Sequence, residues 1–103
     1  MAVTQLNTKA DFDKEIASGT TFVDFYATWC GPCKAIAPMV EKLSDQFTTI
    51  KFFKLDVDEV SEVAASEGIS AMPTLVLYKD GKAVETVVGA NIQKIKSVLE
   101  ANA

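Results

Sequence analysis

The chain has 103 residues, of which 49% are hydrophobic and 23% charged, and its net charge at pH 7 is −4. This length supports one hydrophobic core, so we expect a single domain over residues 1–103. Its ten basic residues are all lysines, and they are scattered along the chain without a cluster. This distribution excludes an electrostatic surface for nucleic acid.

The N-terminus has no basic start, apolar core or small-residue cleavage site, and no apolar run approaches the length of a membrane span. We therefore expect a cytoplasmic protein that is not embedded in a membrane; entry into the nucleus stays open. In a reducing compartment, two cysteines favour catalysis or metal binding over a permanent disulfide.

The first elements follow from spacing and caps. Residues 3–6 alternate as a short strand, and Thr8 is placed to cap a helix over residues 9–18 that Gly19 ends. Residues 21–27 are rich in β-branched and aromatic side chains, which predicts a strand covered on both faces.

A second helix is predicted over residues 32–47, with Pro32 in its first turn and Pro38 inside it, where a kink is expected. Residues 50–57 are again apolar on both faces. Strand, helix and strand from 21 to 57 therefore predict a βαβ unit with a parallel pairing. Residues 58–66 read as a short helix ended near Gly68.

The C-terminal part predicts an antiparallel hairpin and a helix. Residues 74–78 and 83–88 flank an Asp-Gly turn, and Asn91 is placed to cap a final helix with one apolar stripe. Together the elements predict an α/β fold: a mixed five-stranded sheet with helices on both faces. Periodicity does not give the order of the strands.

The segment Trp29-Cys30-Gly31-Pro32-Cys33-Lys34 joins a predicted strand to a predicted helix. Unpaired N–H groups at a helix N-terminus favour a thiolate, so we expect Cys30 to be a solvent-accessible nucleophile. Cys33 falls in the first turn and faces inward, placed to displace a mixed disulfide. Gly31 and Pro32 keep this turn tight and fix its entry into the helix.

Two other readings of the cysteine pair are weaker. Zinc needs about four ligands, and this chain has two cysteines and no histidine, so we expect no metal. A disulfide across so short a loop removes little chain entropy, which argues against a purely structural bridge.

Asp24 and Lys54 each lie within an apolar strand. Asp24 could face water at a sheet edge, but apolar residues on both sides favour burial, which raises the pKa of a carboxyl group and suits it to take the proton of Cys33. Lys54 is either a lysine whose ammonium reaches the surface or a neighbour that tunes Asp24.

Trp29 could be a core residue, although next to a reactive thiol it would serve better as a contact for protein substrates. The Met72-Pro73 segment could be an ordinary strand entry.

The segments DFYATWCGPC, KLDVDE, AMPT and VGA, in this order and spacing, resemble the thioredoxin family over essentially the whole chain. The resemblance implies the thioredoxin fold, with strand order 1-3-2-4-5, four flanking helices and a cis peptide before Pro73. It also implies functional roles for Asp24 and Lys54. The implied substrate surface consists of Trp29, Gly31, Pro32, Met72, Pro73, Gly89 and Ala90.

The resemblance further implies a monomeric protein-disulfide reductase that binds no cofactor itself and is recycled by thioredoxin reductase, which carries FAD and uses NADPH. Implied clients are ribonucleotide reductase, peroxiredoxins and methionine sulfoxide reductases. The chain departs from many relatives in having Tyr26 in place of tryptophan and no cysteine outside the motif.

Two alternatives stay open at this point. A disulfide oxidase or isomerase on the same fold usually has a histidine before the second cysteine, where this chain has Pro32. A binding module would use Trp29 and the Gly89-Ala90 surface without redox chemistry.

Overall fold

Five strands and four helices follow one another along residues 3–103, the part of the chain that the computed structural model describes. The first two residues of the predicted domain therefore lie outside the described range. The elements are β1 (Val3–Gln5), α1 (Lys9–Ile16), β2 (Thr20–Tyr26), α2 (Gly31–Gln46), β3 (Lys51–Asp56), α3 (Ser61–Ser66), β4 (Thr74–Lys79), β5 (Lys82–Val88) and α4 (Ile92–Asn102).

Every predicted element is present, and two helix boundaries need correction. The helix predicted over 9–18 ends at Ile16, because Lys51 Nζ donates to the carbonyl oxygens of Glu15, in the last turn, and Ser18, beyond it, at 2.8 and 2.9 Å. The helix predicted from residue 58 begins at Ser61, because Asp56 Oδ1 accepts from the N–H of Asp58 and holds a turn there.

Side-chain caps fix two of the other helix starts. Thr8 Oγ1 accepts from the N–H of Asp11, and Asn91 Oδ1 accepts from the N–H of Lys94, each at 3.1 Å. Helix α2 continues through Pro38. None of the four helices in residues 3–103 is both long enough and apolar enough to cross a membrane.

The strands form one sheet in the order β1-β3-β2-β4-β5, as the family resemblance implied. β3 pairs in parallel with β1 and β2, while β4 is antiparallel to β2 and β5. The predicted parallel unit and hairpin are therefore both correct. The register places Asp24 beside Lys54 of β3 and Leu75 of β4, near the centre of the sheet.

Helices cover both faces of the sheet, which explains why β2 is apolar on both sides. One buried cluster joins α1 and α3 to the sheet, and includes Phe12, Val23, Phe25, Leu55, Val63 and Tyr78. The other joins α2 and α4 to the opposite face, and includes Phe22, Ile36, Val40, Phe52, Ile95 and Leu99. Because side chains alternate along a strand, Asp24 and Lys54 face α2.

Candidate active site

Cys30 and Cys33 form a disulfide where the chain passes from β2 into α2, with their Cα atoms 5.3 Å apart. Cys30 is the N-cap residue of α2, and its Sγ accepts a hydrogen bond from the backbone N–H of Cys33 at 3.2 Å. The first sulfur thus lies at the positive end of a 16-residue helix, where the sequence placed it. This environment stabilises an anion on Cys30 more than on a free cysteine.

The solvent access predicted for Cys30 is not found in this disulfide form. Cys30 and Cys33 are each 4% exposed and both belong to the buried cluster under α1 and α3. Met72 packs against that cluster, and its carbonyl oxygen is 3.6 Å from Cys30 Sγ. The segment before β4, which is distant in sequence, therefore covers the first sulfur.

The peptide bond between Met72 and Pro73 is cis, as the family resemblance implied. The carbonyl of Pro73 accepts from the N–H of Gly89 at 2.8 Å, which ties the end of β5 to this segment. Gly89 has a φ of +92°, a conformation that favours glycine. Met72, Pro73 and Gly89 are thereby linked to one another and, through Met72, to the disulfide.

The remaining predicted surface residues lie in the open. Gly31, Pro32 and Ala90 are exposed, and Trp29 is 67% exposed. Trp29 Nε1 donates to Asp58 Oδ2 at 3.0 Å, so the indole is an oriented contact surface. Sequence reasoning missed Asp58, and its only signal was a place in the KLDVDE segment after β3. Trp29 therefore lies outside the core, and the alternative that it is a core residue is wrong.

Asp24 is 5% exposed, and burial raises its pKa from the ordinary 3.8 to about 7, while the positive charge of Lys54 lowers it. Its Oδ1 atom has no hydrogen-bond partner among the described residues. Burial thus raises the pKa of Asp24, as the sequence predicted. The charge of Lys54 lowers that pKa, which agrees with the interpretation of Lys54 as a neighbour that tunes Asp24. A carboxyl group with this pKa exchanges protons near neutral pH.

A cavity of about 250 Å³, here called the inner cavity, connects Asp24 with the second cysteine. Its lining consists of Asp24, Tyr26, Ala27, Thr28, Cys33, Lys34, Ala37 and Lys54. Since one water occupies about 30 Å³ in the liquid, this space can hold the water needed to carry a proton between Cys33 and Asp24.

Tyr26 forms part of the inner-cavity wall. Its hydroxyl donates to Gln5 Oε1 at 3.0 Å, and burial raises its pKa above the ordinary value of 10. The hydroxyl therefore stays protonated near neutral pH and fixes the wall without exchanging protons.

Residues 3–103 contain no group of three or more His, Cys, Asp or Glu side chains that could hold a metal ion. The arrangement that is present suits thiol–disulfide exchange. It contains a sulfur at a helix N-terminus, a second sulfur bonded to the first, and a carboxyl group that lines the same cavity as the second cysteine.

Comparison with known proteins gives consistent matches. A family model described as Thioredoxin matches residues 3–101. Thioredoxin-1 of Saccharomyces cerevisiae is 57% identical over 102 residues, which cover 98% of this chain and 99% of that protein. A solved Plasmodium falciparum thioredoxin has a TM-score of 0.96 at 46% identity, covering 98% of this chain and 100% of that one.

A further match comes from a structural study of the thiol resolving mechanism in yeast mitochondrial 1-Cys peroxiredoxin via glutathione/thioredoxin systems. The matched chain from that study has a TM-score of 0.92 at 36% identity. The match covers 97% of the present chain and 95% of the matched chain.

Proposed function

The chain belongs to the thioredoxin family and is a thiol–disulfide oxidoreductase, and we propose that it reduces client-protein disulfides through the residues described above. The observation that carries this proposal is the Cys30–Cys33 disulfide, whose first sulfur caps α2 and accepts the N–H of Cys33. A purely structural bridge would need neither the helix terminus nor a buried acid beside it.

In the first step of the proposed reaction, the thiolate of Cys30 attacks one sulfur of a client disulfide. A bond forms between Cys30 Sγ and that sulfur, and the other client sulfur leaves as a thiolate that takes a proton from water. The N–H of Cys33 and the N-terminus of α2 stabilise the attacking anion.

In the second step, Cys33 loses its proton and attacks Cys30 Sγ, which regenerates the Cys30–Cys33 disulfide and breaks the bond to the client. The second client sulfur leaves as a thiolate that takes a proton from water. Asp24 accepts the proton of Cys33 through water in the inner cavity. Because the pKa of Asp24 is about 7, the group is ionised in a substantial fraction of molecules and can still release the proton afterwards. Lys54 acts as a positioning residue by favouring the ionised carboxylate.

In this proposal, clients dock on a surface around the disulfide. This surface consists of Trp29, Gly31, Pro32, Met72, Pro73, Gly89 and Ala90. The exposed indole of Trp29 supplies apolar contact area and is oriented by Asp58. The Met72 carbonyl, 3.6 Å from Cys30 Sγ, is placed to accept a backbone N–H of an extended client segment beside the reacting sulfur.

The partners and location remain proposals based on family membership. Electrons come from a thioredoxin reductase that carries FAD and uses NADPH, so the chain itself needs no bound cofactor. Peroxiredoxins are the client class that a matched structure supports, because its study concerns a peroxiredoxin thiol. Ribonucleotide reductase and methionine sulfoxide reductases are further proposed clients, and the proposed site of action is the cytoplasm.

Insulin reduction with NADPH and a thioredoxin reductase tests the proposal. Wild-type protein should turn over many times, Cys30→Ser should have no activity, and Cys33→Ser should accumulate a mixed disulfide that mass spectrometry detects. The serine variants are matched controls because each removes one sulfur and leaves the fold. Turnover by Cys30→Ser would overturn the assignment of the nucleophile.

A further inference from the structure

A second and larger cavity lies between α2 and the strands β1, β2 and β3. This outer cavity has a volume of about 540 Å³, and its lining includes Val3, Asp24, Lys34, Pro38, Glu41 and Lys54. The inner and outer cavities share Asp24, Lys34, Ala37 and Lys54 as lining residues. They therefore meet at the buried carboxyl group, one toward Cys33 and the other along α2.

The α2 side of the outer cavity is one face of the helix. Lys34, Pro38, Glu41 and Asp45 are three or four residues apart, the spacing of neighbours along one helix face. Glu41 follows Lys34 by seven residues, so it lies about 10 Å farther along the helix axis, away from the disulfide. The cavity thus continues from Asp24 toward the C-terminal half of α2.

Two buried side-chain oxygens in residues 3–103 have no hydrogen-bond partner, Asp24 Oδ1 and Glu41 Oε2. Both residues line the outer cavity. Buried carboxylate oxygens are almost always hydrogen-bonded to protein or water, and a space of this size accommodates several waters. Water in this cavity is the partner that both oxygens require.

A third acceptor on α2 is affected by Pro38. Pro38 has no N–H, so it cannot donate the usual helical hydrogen bond to the carbonyl of Lys34. Lys34 lines both cavities. The internal proline therefore leaves the Lys34 carbonyl without this helical donor, on a residue that lines both cavities.

The proposed reaction leaves a proton that such a route can carry. When Cys33 attacks the mixed disulfide, its proton passes to Asp24, and the released client thiolate takes its own proton from solvent. One proton therefore remains on Asp24, and unless it returns to Cys33 when the disulfide is next reduced, it leaves to bulk water. The docked client covers the surface beside Cys30, whereas Glu41 lies farther along α2.

We infer that the outer cavity is a water-filled route for proton release and that Glu41 is its relay carboxylate, passing the proton of Asp24 to bulk water. This inference rests on the proposed function. The ionisable groups facing the route are Asp24 from β2, Lys54 from β3, and Lys34, Glu41, Lys42 and Asp45 from α2. β1 contributes the uncharged Val3. The three lysines offset the cost of a negative charge on either carboxylate in the route.

Glu41→Gln tests the relay, because it keeps the shape of the side chain and cannot carry a proton. Glu41→Asp restores a carboxylate, and Glu62→Gln removes an equal charge from an exposed position on α3. Steady-state reduction of a peptide disulfide, with NADPH and a thioredoxin reductase in excess, measures the turnover rate of each variant. Measurements in dilute buffer, in concentrated imidazole and in deuterium oxide separate proton release from folding effects.

In dilute buffer we expect Glu41→Gln to slow steady turnover about tenfold, below the roughly 10²–10⁴ contributed by a direct proton-transfer group. Imidazole should restore the rate, Glu41→Asp should retain most of it, and Glu62→Gln should match wild type. Equal rates for Glu41→Gln and wild type, or a loss that imidazole does not repair, would overturn the relay. That failure is distinct from failure of the proposed function, which Cys30→Ser tests separately.

Discussion

Replacing Asp24 by asparagine should stabilise the oxidised protein at high pH. The carboxyl group is 5% exposed and its pKa is raised to about 7, whereas in the unfolded chain it returns to the ordinary 3.8. The folded state therefore holds a proton that the unfolded state releases between these two values. Stability falls as pH rises through this window and is constant above it.

The magnitude follows from the two pKa values. A difference of about three pKa units, at roughly 1.36 kcal/mol each, gives a cost of about 4 kcal/mol at high pH. The asparagine amide keeps the volume but is itself buried, and an unsatisfied buried amide costs about 1–3 kcal/mol. We therefore expect Asp24→Asn to gain about 1–3 kcal/mol near pH 8 and to lose a similar amount near pH 4.

Urea unfolding of the oxidised protein across this range measures the difference. The control is Asp13→Asn, which removes an exposed carboxylate paired with Lys9 at 2.6 Å. It should change the free energy of unfolding by less than about 1 kcal/mol throughout. A difference between Asp24→Asn and wild type that stays constant from pH 4 to pH 8 would refute the argument from burial.

Three further predictions concern the site. The rate of mixed-disulfide resolution should rise with pH through about 7 in wild type, because ionised Asp24 accepts the proton of Cys33. In Asp24→Asn, stopped-flow fluorescence should show no such inflection and a rate lower by about 10²-fold. An unchanged pH profile in this variant would show that Asp24 does not take part in the step. Asp58→Asn weakens the hydrogen bond that orients Trp29, so KM for insulin should rise a few-fold while the rate with a small aromatic disulfide stays constant; equal effects on both substrates would argue against a docking role. Gly89→Ala forces a side chain into a φ of +92° where no atom obstructs it, so urea unfolding should give a loss of about 1–2 kcal/mol from conformation alone; no loss would contradict the assigned backbone strain.

Local patterns predicted the elements well because their causes are local. Apolar spacing within α2 and α4, the Thr8 and Asn91 caps and the turn at Asp80 and Gly81 each depend on residues a few positions apart. The two errors in helix boundaries have different causes. The end of α1 is set by a contact that is distant in sequence, and the start of α3 is delayed by a turn. Lys51 reaches α1 from β3, some 35 residues later, and no pattern within α1 announces it.

The burial of Cys30 also has a cause that is distant in sequence, so local patterns could not predict it. A helix N-terminus is usually open to water, and the motif itself contains only small residues between the cysteines. The covering group is the Met72 carbonyl, whose position depends on how β4 enters the sheet beside β2. The strand order was available only from the resemblance to a family, since periodicity carries no information about which strands are neighbours.

The sequence by itself determined the chemistry of this protein: two cysteines at a strand-to-helix junction, and an acid within an apolar strand. Only the tertiary structure decided which groups surround them. It placed Met72 against Cys30, Lys54 beside Asp24, and Glu41 on a cavity that reaches the same carboxyl group. The physical reason is that reactivity type belongs to a side chain, whereas its pKa, access and proton route depend on neighbours brought together by long-range packing.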